Sequence, residues 1–496
     1  MDRLNFIWFE FVRHAYNAIR LNNQTQQGLL ARNRVADSNG GNNGHSNGNG
    51  HAHGNGHGTA KLNLFQRLVR QWETLHPYNG AQVLKIRGQV DLDLARAAWH
   101  DAMEVLGLGR VCLSGDSYRY QCLNGDAIHH TVRLCPPGTV LDEWISGEMN
   151  RRFDELDAVP FRPFVIQEDG HFWLGLVYQH WVADSSSIRL LMHEWFARQF
   201  DPAAASTQRV RTRAGGYLAL FGPHLSGWHT GEAFLSALRW QSQFRRARRI
   251  EDGEVFRDLS VRFARFPTEV GMIDGLVAAA RTNDCTVNDL FLAAIAQACD
   301  QHIPAPRRYR RQDLAIATIV DLRSKSPTPL NNVFDLLLGF TSVCCRPEQM
   351  KDWKTLLHAV SLQTRRQKAT GAPQSSWLRM LGALAAGRLL AQERVTEFYR
   401  KRVSLAGANS NVNLNRCWAS RYNPDPLMEY VRVAPTGPMT PLVFTTTTLG
   451  HGLSIGLTYR NAIVSEERVR GLATVFLGQL NQLAFGDSVN TVQAIN

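Results

Sequence analysis

One stretch of this chain joins a strand-length apolar run to an amphipathic helix through a short polar turn, and it constrains the fold most. Residues 172–178 (FWLGLVY) are apolar throughout, as expected of a strand buried on both faces. Between residues 188 and 196, large apolar side chains recur with the spacing of one helix face. Residues 184–187 (DSSS) are of the types that cap a helix start. The stretch therefore predicts a buried strand leading directly into a helix, as in an α/β protein.

His180 and Asp184 occupy the turn between this strand and this helix. Polar side chains at the mouth of a buried strand are often the ones that carry chemistry. An isolated H-x-x-x-D pattern is short enough to occur by chance, and it then describes a hydrogen-bonded core histidine and a helix N-cap. The flanking sequence decides between these two interpretations.

The flanking segment PFRPFVIQEDGHFWLGLVYQHWVADSSS resembles the active-site segment of the HxxxD acyltransferase superfamily. That superfamily includes chloramphenicol acetyltransferase, plant BAHD acyltransferases, peptide-synthetase condensation domains and wax-ester synthase/diacylglycerol acyltransferases. Residues 286–298 (TVNDLFLAAIAQA) are similar to the "ND" segment of the wax-ester synthase group, and TIVDLRSK follows at 318–325. The resemblance spans most of residues 61–496. It implies an α/β (α+β) fold with two chloramphenicol-acetyltransferase-like lobes, mixed sheets and a tunnel between the lobes.

The resemblance also assigns roles to individual residues. His180 is the predicted general base for transfer of an acyl group from a thioester to a hydroxyl or amine, a task that suits a neutral imidazole near pH 7. Asp184 is expected to point away from the substrate and to hold the loop through a salt bridge, for which Arg323 is the predicted partner. Asn288 and Asp289 match the "ND" pair and are assigned structural roles behind the site.

Four further residues are weaker candidates for the tunnel wall. Ser410 and Asn411 lie in SLAGANSNVNL, which resembles the superfamily's SNVPGP segment without its proline and glycine. Gln179 stands where many condensation and wax-ester enzymes have a first histidine, and Ser185 stands where they have a glycine. The BAHD motif DFGWG is absent. These differences leave subfamily and substrate open, and they motivate an alternative function as a non-catalytic condensation-like module that binds a carrier protein or partner.

The net charge of +12 implies an anionic partner but does not identify its chemical class. A basic surface attracts nucleic acid, anionic lipid, or the phosphates and acidic helices of acyl carriers. Zinc-finger spacing, RNP-type aromatic strands and a recognition helix are absent, so nucleic acid ranks last among these partners and none is expected. The expected co-substrate is acyl-coenzyme A or a phosphopantetheinyl carrier protein, with no tightly bound cofactor and no metal. An arginine cluster at 239–249 is either a solvated helix face or a landing site for such phosphates.

Compartment and domain organisation follow from composition. Eight cysteines without a C-x-x-C pair and the lack of a secretory start predict a cytoplasmic protein with reduced thiols. Residues 1–32 predict an amphipathic helix that docks on a membrane surface, on a partner or on its own domain. Residues 33–60 are a Gly/Asn/His-rich linker that cannot form a core. Residues 61–255 form the predicted N-terminal lobe, and residues 256–496 form the C-terminal lobe.

Apolar periodicity predicts the main elements of both lobes. A hairpin is expected over 161–178 and another over 443–459, with a strand at 314–320 and a continuous strand at 334–345. Helices are expected at 353–368 and, without interruption, at 377–401, and a final helix follows Ser465.

Overall fold

A computed structural model of the chain describes residues 59–121, 132–153, 159–212, 217–221, 238–249, 253–303, 311–415 and 426–486, together with Leu235 and Trp418. The predicted N-terminal helix and the linker up to residue 58 lie outside the described residues. Within the described parts of the chain, no helix has both the length and the apolarity needed to cross a membrane.

The first sheet has five strands and contains the apolar run that dominates the sequence. Its strands, in order across the sheet, are β12 (Leu427–Val433), β2 (Asn79–Arg87), β7 (His171–Gln179), β6 (Phe161–Glu168) and β5 (Arg133–Leu134). Only the β5–β6 pair is parallel. The interior of β7 is buried on both faces, as predicted. One face packs against α2 (Leu92–Leu106) and α4 (Ser185–Phe200), and the other packs against α3 (Leu141–Asn150).

The second sheet has six strands and its own apolar core. In order across the sheet they are β10 (Leu338–Cys345), β9 (Leu314–Asp321), β11 (Gly407–Asn413), β13 (Leu442–Leu449), β14 (Gly452–Arg460) and β8 (Val261–Phe266). Strand β11 runs parallel to both of its neighbours, and the other pairs are antiparallel. The core lies between this sheet and four helices, α7 (Met272–Thr282), α8 (Val287–His302), α10 (Trp353–Ala369) and α13 (Glu466–Phe485).

Smaller elements complete the described structure. A three-stranded sheet consists of β1 (Ala60–Lys61), β3 (Arg110–Ser114) and β4 (Ser117–Gln121). The other helices are α1 (Leu64–Glu73), α5 (Tyr217–Phe221), α6 (Gly253–Arg257), α9 (Pro347–Met350), α11 (Ser376–Leu389) and α12 (Gln392–Arg402). Short 3₁₀ turns occupy Pro202–Ala204 and Arg323–Lys325. The predicted fold class, two α/β lobes with mixed sheets, is confirmed.

Strand β12 links the two halves of the chain, because it belongs to the second half in sequence and to the first sheet in space. It pairs antiparallel with β2, from Leu427 opposite Ile86 to Val433 opposite Ala81. Side chains of β12 that face the second sheet therefore lie between the two sheets.

Two predicted elements are wrong in extent. The strand expected at 334–345 begins only at Leu338, since the main chain of Asp335 and Leu337 bonds to the start of α4 and not to a neighbouring strand. The helix expected at 377–401 is two helices, α11 and α12, separated at Leu390 and Ala391, which are extended. No glycine or proline marks that break. It lets α11 pack on α1 and α12 pack on α6.

Candidate active site

The connection between β7 and α4 places His180 and Asp184. The strand ends at Gln179, and the His180 amide donates to the carbonyl of Tyr78 at 3.1 Å. Helix α4 begins at Ser185 with Asp184 as N-cap, because Asp184 Oδ1 accepts a hydrogen bond of 2.9 Å from the Ser187 amide. Strand end and helix start thus fix both side chains independently of any ligand.

Asp184 and Arg323 form the predicted salt bridge. Arg323 Nη1 lies 2.6 Å from Asp184 Oδ2, and the carboxylate is completely buried. The Leu337 amide donates to the same oxygen at 2.8 Å. Burial alone would raise the pKa of Asp184, but the Arg323 charge and the hydrogen bonds hold it below its ordinary value. Asp184 is therefore a fully paired anion that faces away from the cavity described below.

Ser187 extends this network to the loop that precedes β10. Its Oγ accepts from Arg323 Nη2 at 2.8 Å and from the Asp335 amide at 2.9 Å, and it donates to the Asp335 carbonyl at 2.7 Å. Ser187 is thus used structurally, as expected of a side chain at a helix start. The Asp335 side chain itself is buried and accepts from Asn63 Nδ2 and the Leu336 amide. Burial raises the pKa of Asp335 from 3.8 to about 7.

His180 sits between two tyrosines. The rings of Tyr78 and Tyr178 have centroids 5.5 Å and 5.6 Å from the imidazole centroid. His180 Nδ1 is buried and makes no hydrogen bond of standard geometry to another described residue. Burial lowers the pKa of His180 below 6.5, and its own carbonyl and the charge of Asp184 oppose this only in part. The imidazole is therefore neutral at pH 7, the state that a general base needs.

His180 lines a cavity of about 140 Å³ between the two sheets. The wall is mostly apolar and is contributed by β2, β9, β11, β12 and β13, among others. Ser185, Ser410 and Asn411 line it as well, as predicted. Asn411 Oδ1 accepts from Thr446 at 3.1 Å. The predicted tunnel between the lobes is thus a cavity that reaches His180.

One cationic side chain, Arg432 of β12, lines the same cavity and was missed by the sequence analysis. Arg432 is 4% exposed and donates to Thr447 Oγ1 at 3.0 Å, Ser185 Oγ at 3.2 Å, Ser410 Oγ at 3.2 Å and the Ser410 carbonyl. The available signal was an arginine between two valines in the segment LMEYVRV at 427–433, but no pattern in the sequence assigns that strand to the first sheet.

Gln179 corrects a sequence prediction, because it is not among the described residues that line the cavity. Successive side chains of a strand point to opposite sides of the sheet. The side-chain nitrogen Nε2 of Gln179 donates to Glu73 Oε2 of α1 at 3.4 Å. The position where related enzymes have a first histidine therefore faces away from the site in this chain.

Asn288 and Asp289 lie at the start of α8, behind the second sheet. Asp289 forms a capping box with Thr286 and accepts a 2.7 Å hydrogen bond from Thr364. Asn288 accepts from Asn409 at 3.3 Å. These contacts are structural, and neither residue is among the described residues lining the cavity.

The arginine cluster of the connecting segment is largely used to attach that segment. Arg246 pairs with Asp313 at 3.2 Å, and Arg248 pairs with Asp300 and donates to the Gln312 carbonyl at 3.1 Å. These pairs compensate both charges within the chain itself, which leaves less of the cluster for a ligand.

This architecture is similar to those of a solved acetyltransferase and of two solved condensation domains. Trichothecene 15-O-acetyltransferase from Fusarium sporotrichioides is 11% identical with a TM-score of 0.65, over 86% of this chain and 95% of that one. The condensation domain of the monacolin K polyketide synthase MokA is 10% identical (TM-score 0.60, 86% and 97% covered). The first condensation domain of the CDA synthetase is 14% identical (TM-score 0.59, 89% and 98% covered).

The predicted resemblance to the HxxxD superfamily is confirmed by these structures at the level of the fold. Neither a comparison with protein-family models nor one with curated protein sequences gave a match.

Proposed function

We propose that the protein is an acyltransferase that moves an acyl group from a thioester to a hydroxyl or amine, with His180 as general base. The observation that carries this proposal is a neutral, buried imidazole at the wall of a cavity between two lobes, held by an Asp184–Arg323 pair behind it. Because Nδ1 is buried, Nε2 is the nitrogen expected to meet the acceptor.

In the proposed reaction, His180 takes the proton from the acceptor hydroxyl or amine as that group attacks the thioester carbon. The new C–O or C–N bond forms, the C–S bond breaks, and the proton passes from the imidazolium to the leaving thiolate. General-base assistance of this kind contributes roughly 10²–10⁴-fold to the rate. Asp184 does not touch substrate and acts only by holding the loop that carries His180.

The cavity supports an enzyme more than the alternative of a non-catalytic binding module. That alternative was motivated by Gln179 and Ser185, which replace a histidine and a glycine of related sequences. Gln179 contacts Glu73 outside the cavity, so its replacement removes no group from the site. Ser185 Oγ accepts from Gln82 and Arg432 and does not obstruct His180.

The donor is proposed to be acyl-coenzyme A or an acyl carrier protein. Support comes from the fold that this chain shares with the condensation domain of a polyketide synthase and with the cyclization-docking bidomain of a nonribosomal peptide synthetase. A basic chain with a net charge of +12 suits either the phosphates of coenzyme A or the acidic helices of a carrier.

The proposal is tested by thiol release from a panel of acyl-coenzyme A and acyl-carrier donors, each mixed with alcohols and amines. Wild type is expected to turn over at least one pair, and His180→Ala is expected to lose roughly 10²–10⁴-fold in kcat. His451→Ala, an exposed histidine paired with Asp274, is the matched control and should retain full activity. Undiminished turnover by His180→Ala would show that His180 is not the base.

The pH dependence supplies a second test. His180 must be neutral to accept a proton, and its pKa lies below 6.5. With an alcohol acceptor, which does not titrate in this range, activity is therefore expected to be flat from pH 7 upward and to fall only at pH values below 6.5. An activity profile that still rises between pH 7 and 8 with an alcohol acceptor would contradict the neutral buried imidazole.

A further inference from the structure

We infer that Arg432 is a binding site for a carboxylate on an otherwise apolar substrate that occupies the cavity beside His180. This inference rests on the proposed function for the meaning of the cavity, and it adds the substrate class. It starts from a charge that the described structure does not compensate.

Arg432 is buried without a carboxylate partner among the described residues. Its acceptors, Thr447, Ser185 and Ser410, supply three hydroxyl oxygens and one main-chain carbonyl, all of which are neutral. A guanidinium has five N–H donors, and four contacts leave one without an acceptor. Removing an unpaired cation from water costs several kcal/mol, so such a residue is expected to have a counter-charge in the working protein.

The electrostatic surroundings increase the need for an anion. Burial lowers the pKa of Arg432 to about 10, and the positive charge of Arg189, one turn into α4, adds a smaller lowering. Arg432 nevertheless stays protonated at neutral pH. Asp321 also lines the cavity, but it accepts from Ser186 at 2.6 Å and pairs with Arg323 at 3.3 Å.

The shape and chemistry of the wall define the rest of the ligand. Around Arg432 the cavity is lined by apolar groups such as Ala81, Val412, Val433 and Met439. One guanidinium with hydroxyl neighbours matches one singly charged, planar carboxylate, whereas a dianionic phosphate would leave excess negative charge in an apolar wall. The ligand class is therefore an apolar acid.

Arg432 also joins elements of both sheets, so a purely bridging role has to be separated from binding. Ser410 and Thr447 belong to strands β11 and β13 of the second sheet, and Ser185 belongs to α4. If Arg432 only bridged the two sheets, replacing it would lower stability and weaken the binding of charged and neutral ligands alike. If Arg432 binds a carboxylate, replacing it would weaken the binding of charged ligands only.

The experiment measures equilibrium binding by calorimetry of straight-chain carboxylates from acetate to dodecanoate, each compared with the amide of equal length. For the best-bound chain length, wild type is expected to prefer the carboxylate by about tenfold or more, since a charge-assisted hydrogen bond contributes roughly 1.5–3 kcal/mol. Arg432→Gln is expected to lose this preference. Arg432→Lys, which keeps the charge without the planar fork, is expected to retain part of it.

Arg460→Gln is the matched control. Arg460 is a second buried strand arginine, which donates to the main-chain carbonyls of Phe256 and Asp258 and lies outside the described cavity wall. The Arg460→Gln variant removes the same net charge as Arg432→Gln and should leave the preference for carboxylates over amides intact. Equal affinity of wild type for every acid and amide, or an unchanged preference in a folded Arg432→Gln protein, would overturn the inference.

Binding needs no turnover, so this result stands apart from the test of His180. Once a turnover assay exists, Arg432→Gln locates the carboxylate on the substrate. A rise in KM confined to the acceptor assigns it to the acceptor, and a rise confined to the thioester assigns it to the end of the acyl chain.

Discussion

Two arginines with little exposure, Arg323 (side chain 10% exposed) and Arg432 (4%), lie near the start of the same helix and have opposite electrostatic environments. Arg323 is held by Asp184 and Asp321, whose charges raise its pKa above the usual value despite burial. Arg432 contacts neutral oxygens alone among the described residues, and burial lowers its pKa to about 10. An arginine paired with a carboxylate of the protein needs no counter-charge from a ligand, and its role is structural. An arginine on a cavity wall without such a carboxylate indicates where an anionic ligand binds.

Breaking the Arg323 pair is expected to have the largest effect on stability. Asp184→Asn leaves Arg323 buried without its main counter-charge, which costs roughly 3–5 kcal/mol of unfolding free energy, measured by urea denaturation. Asp321→Asn, which removes the exposed second carboxylate, is the control and should cost less than about 1 kcal/mol. An Asp184→Asn protein as stable as this control would mean that Asp184 is not the essential partner.

The protonation state of Asp335 decides whether Asp184 is the only buried anion beside Arg323 among the described residues. Its pKa, raised from 3.8 to about 7 by burial, means that the folded state binds a proton that the unfolded state releases. The stabilisation from this group is complete below pH 3.8 and is lost as the pH rises to 7 and slightly above. Asp335→Asn mimics the protonated acid, so it should remove a few kcal/mol of pH dependence between pH 3.8 and about 7.

Urea denaturation at several pH values provides the measurement, with Asp321→Asn again as control. If Asp335→Asn and wild type lose stability in parallel as the pH rises, Asp335 is ionised in the folded protein and Arg323 has two buried counter-charges.

Replacing each arginine by methionine sharpens the comparison directly. Arg323→Met leaves the Asp184 carboxylate buried without a counter-charge and should lower the free energy of unfolding by roughly 3–5 kcal/mol. Arg432→Met removes a buried charge together with its hydrogen bonds, two opposing effects, and should cost less than about 2 kcal/mol. Equal losses in thermal and urea unfolding would show that both arginines are mainly structural.

Gln179 should show the smallest effect. Gln179→Ala removes only the 3.4 Å contact to Glu73 and is expected to change stability by less than about 1 kcal/mol, with turnover and carboxylate preference unaltered. A selective loss of turnover in this variant would place the side chain in the active site after all.

The sequence by itself determined the strand–helix unit around His180 and Asp184, since apolar periodicity and capping are local properties of residues 172–200. It also led, through the superfamily resemblance, to the two-lobed fold and to Arg323, which does contact Asp184.

What the sequence could not determine depends on contacts between distant segments. Leu427–Val433 gives no local sign that it completes the first sheet, and this pairing alone places Arg432 in the cavity. Asp335 looks like an interruption of an apolar strand, and only the hydrogen bonds from the start of α4 turn that stretch into a loop. Local pattern fixes which elements form, whereas the charge state and exposure of a side chain depend on which distant groups surround it.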